Sequence, residues 1–218
     1  LIGGFSLSAL LAGALGLLLG IAADRLAARW PEHEAGVQPR GIDWRTFAVG
    51  GTGAVVFAAL VTRYSEPRDL VILGVFSAAL VVLLATDLDQ KLLPDVITLP
   101  LIGFAAVVLV AGWSPLLADR ELALLSGIAA GIGAPVLLFA SDYVLKGALG
   151  MGDLKLAVSV GLLAGVSRFF TGFLVASLGW SIVIVALIAA RRIGLRSAIP
   201  FGPVLIFAAF AAMLWGAR

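Results

Sequence analysis

Seven stretches of this chain, 1–23, 46–62, 70–86, 96–118, 122–141, 169–190 and 197–217, contain no charged residue. Each is close to the ~20 residues with which an α-helix crosses about 30 Å of hydrocarbon. A chain of 218 residues so divided has little material left for anything except a polytopic bundle. An eighth stretch, 156–167, has only 12 uncharged residues. It spans only if Leu154 and Lys155 lie at its mouth with the lysine snorkelling to the interface. The sequence therefore predicts an all-α membrane helical bundle of about eight transmembrane helices, one domain over 1–218, in contact with the lipid bilayer. Composition agrees: the chain is 61% hydrophobic and 13% charged, with mean hydropathy +1.12, against roughly 25% charged residues in a soluble domain.

Several function classes are excluded at this level. The net charge is +2, but the basic residues are scattered over loops instead of forming a patch, so no nucleic-acid partner is expected. The chain has no cysteine, hence no disulfide framework, thiol nucleophile or cysteine-ligated zinc. Its single histidine, His33, lies in the longest polar loop and reads as a solvated residue. No metal site is expected. The first apolar run lacks a basic leading segment and is too long for a signal-peptide core, so it reads as a retained span.

Residues 24–45 form the main polar segment, broken by Pro31, Gly36, Pro39 and Gly41. The glycines of 50–53 and 127–133 read as small-residue surfaces for close helix packing. With eight spans, one side of the membrane carries Arg25, Arg29, Arg40, Arg45, Lys91, Lys146, Lys155, Arg191, Arg192 and Arg196. The other carries Arg63, Arg68, Arg120, Arg168 and Arg218. The positive-inside rule makes the first side cytoplasmic. If 156–167 does not cross, the split becomes nine to six with the same side favoured. With eight spans both termini lie outside, and either count puts 24–45, Asp87 and Asp153 at the cytoplasmic face.

Acidic residues at the ends of spans are costly, roughly 2.5–3.5 kcal/mol for a carboxylate near the bilayer centre, and intramembrane acids are functional candidates for that reason. Two peptides carry them: Asp87-Leu-Asp-Gln-Lys-Leu-Leu-Pro-Asp95 and Gly150-Met-Gly-Asp-Leu-Lys155. Taken singly, each aspartate reads as a helix-end or N-cap residue. Together they suggest a pair, because the glycines flanking Asp153 can open the helix and bring its carboxyl near another. Two carboxyls within a few ångströms cannot both ionise easily and share a proton. One can then take a proton from water while the other polarises a carbonyl. A proton-coupled transporter could also use such acids. Against it, they cluster at one face, none lies mid-span, and no inverted repeat of broken helices is evident. A catalytically inert assembly factor would have little use for both aspartates with their glycines.

With these motifs the chain resembles the type IV prepilin peptidases, leader peptidases of pilins and type II secretion pseudopilins within the Gly-x-Gly-Asp class of aspartic proteases. The resemblance extends through Thr98-Leu-Pro100, Gly147 to Leu156 and Ile199-Pro-Phe-Gly-Pro203. It implies a catalytic pair at Asp87 and Asp153. Asp89, Asp95, Gly150, Gly152 and Lys155 become supporting or substrate-contacting residues, with Lys155 setting local charge. Prepilins would be the partners, and the bacterial inner membrane the location, with the site facing the cytoplasm. Proteolysis in this family needs no cofactor; S-adenosylmethionine enters only where the family's methylation of the new N-terminus is retained. Bacterial members commonly carry Gly-Ser-Phe-x-Asn before an Arg-x-Pro and a loop with two Cys-x-x-Cys pairs suited to zinc. This chain keeps the spacing of Gly20, Arg29 and Pro31 but has Asp24 at the asparagine position, lacks the Ser-Phe pair, and has only a short loop without cysteine.

Overall fold

The computed structural model describes residues 6–31, 40–117, 120–145, 149–191 and 201–215. His33, Gly36, Lys146, Arg192, Arg196 and Arg218 lie outside them. Among the described residues every regular element is helical: α1 (Leu7–Ala27), α2 (Trp44–Arg63), α3 (Pro67–Gln90), α4 (Asp95–Val110), α5 (Arg120–Leu145), α6 (Met151–Ala189) and α7 (Gly202–Leu214).

Local chemistry sets the boundaries. The Ser6 hydroxyl accepts from the Ala9 N–H at the head of α1. Asp43 and Thr46 form a reciprocal capping box on α2. Proline opens α3 and α7, where its missing N–H has no partner to lose. Lys91, at φ 54°, stops α3 in the left-handed conformation. Five of the helices are long and apolar enough to cross a membrane, whereas α4 and α7 are shorter apolar helices. The run expected over 96–118 ends its helix at Val110 and continues as turns.

The two stretches expected as separate spans, 156–167 and 169–190, are joined without a loop in α6. The break lies at Gly165, whose φ of 68° and ψ of 177° interrupt the helix. Only glycine takes this conformation without strain. Two serines satisfy the backbone groups freed there: Ser114 donates to the Leu163 carbonyl at 3.0 Å, and Ser126 accepts from the Val166 N–H at 2.9 Å. Before the break α6 packs on α5, with Gly161 against Ala130; after it, Gly172 packs on Ala208 and Ala212 of α7. The two halves of α6 thus pack on different neighbours, the first on α5 and the second on α7.

Helix α3 lies at the centre. Leu73, Phe76, Leu80, Leu83 and Leu84 are all but fully buried, alongside Leu156, Leu163, Leu205 and Ile206. Lipid is as apolar as these side chains, so close packing rather than water exclusion holds such a bundle. The α1–α2 hairpin shows the small-residue version, with Gly16 directly against the Gly53 backbone. At one end of the bundle the Tyr64 hydroxyl donates to the Met213 carbonyl at 2.6 Å. At the other end the last turn of α3 meets the first turns of α6 and α7, and there the acidic residues gather.

Candidate active site

Bundle burial leaves few polar side chains inside, and most of the hydroxyls turn back on their own helices. Thr86 donates to Leu83, Thr98 to Pro94 and Ser159 to Leu156. Two carboxyls behave differently. Asp87, in the last turn of α3, is 4% exposed, and Asp153, in the first turn of α6, is 8% exposed. Asp87 Oδ2 and Asp153 Oδ1 are each buried without a hydrogen-bond partner among the described residues. An unsatisfied buried polar atom costs about 1–3 kcal/mol. The two groups are near enough for their charges to act on one another.

Three contacts bring these helix ends together. The turn after α3 packs on the start of α6, where a Cβ on Gly152 would meet Leu93 Cβ at 2.7 Å and the Leu93 carbonyl oxygen at 3.0 Å. Lys155 of α6 pairs with Asp95, the first residue of α4, at 2.6 Å. Gly202, the first residue of α7, lies flat on the Asp87 carboxyl: a Cβ there would be 2.6 Å from Oδ1 and 2.9 Å from Oδ2. Asp153 also serves its own helix, since its Oδ2 accepts from the Gly150 N–H at 3.0 Å. The oxygen that caps the helix is thus not the one left without a partner among the described residues.

The sequence-selected residues therefore divide. Asp87, Asp153 and Gly152 share one locus, with Gly150 as the N-cap of α6. Asp95 and Lys155 pair with each other at its rim, the Asp95 side chain being 58% exposed. Asp89 points away into the N-terminal hairpin, its side chain 5% exposed, with Oδ1 accepting from Arg40 Nε at 2.5 Å and Arg45 Nη1 at 2.8 Å. Gly202 is not among the residues the sequence selects as a site, although the peptide around it, Ile199-Pro-Phe-Gly-Pro203, carries part of the family resemblance. Its signal is a glycine flanked by proline at the mouth of an apolar run. Arg40 and the buried Asp24 also escaped notice as partners, because nothing local in the sequence joins them to α3. Among the described residues, no three of His, Cys, Asp and Glu form a group able to hold a metal ion.

The sequence is similar to that of several curated proteins. A "Prepilin leader peptidase/N-methyltransferase" of Aeromonas salmonicida is 37% identical over 140 residues, 63% of this chain and 46% of that protein. Proteins of the same name from Pseudomonas putida and Bacillus subtilis are each 29% identical, over 165 and 163 residues. Those matches take 75% of this chain, with 56% of the first relative and 63% of the second. The chain thus spans about half the length of the curated relatives it matches. No solved structure shows significant similarity. The profile of the type IV leader peptidase family matches residues 74–217, which include Asp87, Asp153 and Gly202 but neither α1 nor α2. On that match, the chain belongs to the type IV leader peptidase family.

Proposed function

We propose that this protein is an aspartic endopeptidase of the bacterial inner membrane that removes the leader of type IV prepilins or pseudopilins. The observation that carries the reading is the Asp87–Asp153 locus: two nearly buried carboxyls from different helices, each with an oxygen that has no hydrogen-bond partner among the described residues. A water held between them would lose its proton to one carboxylate as it attacks the scissile carbonyl carbon. The other carboxyl, protonated, hydrogen-bonds the carbonyl oxygen as negative charge develops there. Collapse of the tetrahedral intermediate returns a proton to the leaving amine and restores the pair.

Substrate position follows from the site's place in the bundle. The pair lies at the end that also carries Arg25, Arg40, Arg45, Lys91 and Lys155, the side the charge rule makes cytoplasmic. A leader held there would be cut after its glycine while the hydrophobic helix behind it stays at bilayer depth. Asp89 and Asp95 serve by shaping the site, since each is paired with a cation of this chain, Asp89 in the interior and Asp95 at the rim.

The relatives' names include N-methyltransferase, which would call for S-adenosylmethionine. A cavity of about 760 Å³ between α2, α6 and α7 is large enough, but its lining, including Val55, Val56, Val183, Phe207 and Leu214, is almost wholly apolar. It does not suit a zwitterionic, ribose-bearing cofactor. Incubating the purified protein with a prepilin and reading leader loss by mass spectrometry tests the proposal. Release of the leader at its glycine is expected; an intact prepilin would refute it.

A further inference from the structure

The profile match begins at residue 74, so the hairpin of α1 and α2 lies outside it. Yet this hairpin grips the last turn of α3 at two points. Gln90 donates its side-chain amide to the Pro31 carbonyl at 3.1 Å and, more weakly, to that of Ala27 at 3.4 Å. Asp89 is held by Arg40 and Arg45. Arg40 is the centre of this contact. Each of its three guanidinium nitrogens is on a different carboxylate: Nε on Asp89 at 2.5 Å, Nη1 on Asp43 at 2.9 Å, and Nη2 on Asp24. Asp24 is completely buried in α1, and its second oxygen accepts from Thr46 of α2 at 2.6 Å and from Arg25. One side chain therefore joins α1, the head of α2 and α3. Only a planar guanidinium presents donors in this fixed fork.

Two residues along an α-helix rotate the side-chain direction by about 200°. Asp87 and Asp89 accordingly point to opposite sides of α3, one toward α6 and α7, the other toward the hairpin. We propose that Arg40 is a positioning residue for the reaction: by clamping Asp89 to Asp24 and Asp43 it fixes the rotation of the last turn of α3, and with it the placing of Asp87 opposite Asp153. The inference rests on the peptidase reading of that pair. Misplacing a reacting group by about 1 Å costs on the order of 100-fold in rate, so the hairpin would govern turnover while touching no substrate.

The test combines kinetics with a geometric readout that needs no activity. Arg40→Ala and Asp89→Ala should each lower kcat on a purified prepilin by about 10- to 100-fold with KM changed less than about threefold. The double variant should lose little more than either alone, because one contact is removed in each case. Arg40→Lys should restore part of the rate by keeping one ion pair. In parallel, cysteines are placed at 87 and 153 in the naturally cysteine-free chain and joined with a short bifunctional thiol reagent. Cross-link yield should fall at least severalfold when Arg40→Ala is added, in protein whose thermal unfolding is still cooperative. Unchanged kcat and unchanged cross-linking in folded Arg40→Ala would overturn the proposal, as would a rise in KM alone, which would make Arg40 a substrate contact. If Arg40→Ala proves unstable, Asp89→Ala decides the matter, since it leaves the Asp24–Arg40 pair in place. A parent protein that cleaves no prepilin while cross-linking still depends on Arg40 would refute the peptidase reading but not the clamp. An active protein with cross-linking indifferent to Arg40 would refute the clamp alone.

Discussion

Gly202→Ala is the sharpest perturbation the fold offers, because it adds one methyl group at a known place. The new Cβ would stand 2.6 Å from Asp87 Oδ1, 2.7 Å from Cγ and 2.9 Å from Oδ2. Ordinary van der Waals contact begins near 3.4 Å, so the carboxyl or the start of α7 must yield by close to 1 Å. Overpacking of this kind typically costs about 1–3 kcal/mol of stability. Movement of a reacting group on that scale costs on the order of 100-fold in rate. The expected result is a folded protein whose kcat on a prepilin falls about 100-fold, with KM little altered. Gly103→Ala and Gly133→Ala are the controls: a Cβ at either position meets nothing within 4 Å, so both should cleave at the parent rate. Quantitative mass spectrometry of leader release from protein in liposomes gives the rates. Parent-level turnover by folded Gly202→Ala would refute the claim that the Asp87 carboxyl must stay where Gly202 leaves room for it.

Gly152→Ala should also slow cleavage, because its Cβ would press on Leu93, whose packing on the start of α6 holds the two aspartate-bearing helix ends together; rates indistinguishable from the parent would contradict that packing. Asp89→Asn should keep substantial activity, since the amide oxygen can still accept from Arg40 and Arg45, and a loss as deep as that of Asp89→Ala would show that the charge itself is needed. A single cysteine at Ser65 should react with an impermeant maleimide in intact cells and one at Ile42 should not, the reverse pattern overturning the orientation. Cleavage should proceed without S-adenosylmethionine and persist after chelation, and the product's N-terminus, weighed with the cofactor supplied, shows whether a methyl group is gained. The rate should fall both in acid, where the pair holds two protons and lacks a base, and in alkali, where it holds none and lacks an acid; a rate independent of pH would contradict a shared proton.

The helical elements were largely legible because uncharged runs of this length have few alternatives in lipid. The aspartate motifs were legible because charge is expensive there. What the sequence hid was set by partners distant in the chain. Gly165 sits in Leu-Leu-Ala-Gly-Val-Ser, a peptide that reads as uninterrupted helix. The break is held by Ser114 and Ser126, some 40 to 50 residues upstream. Helix α4 stops at Val110 although its apolar run continues to 118, because hydropathy does not distinguish helix from an apolar turn. The Gly202–Asp87 contact joins residues far apart in sequence and leaves no periodic signal. Arg40 entered the charge count as one loop cation among ten, whereas its three bonds depend on how α1, α2 and α3 converge.

The central claim is that Asp87 and Asp153 act as one catalytic unit, and the most direct measurement compares the parent with Asp87→Asn and Asp153→Asn on the same prepilin in liposomes. Each substitution keeps the side chain's shape but removes a group able to exchange a proton with water or substrate. The account predicts leader release by the parent, and none by either variant, while both stay folded in the membrane. Full leader release by either variant would contradict it.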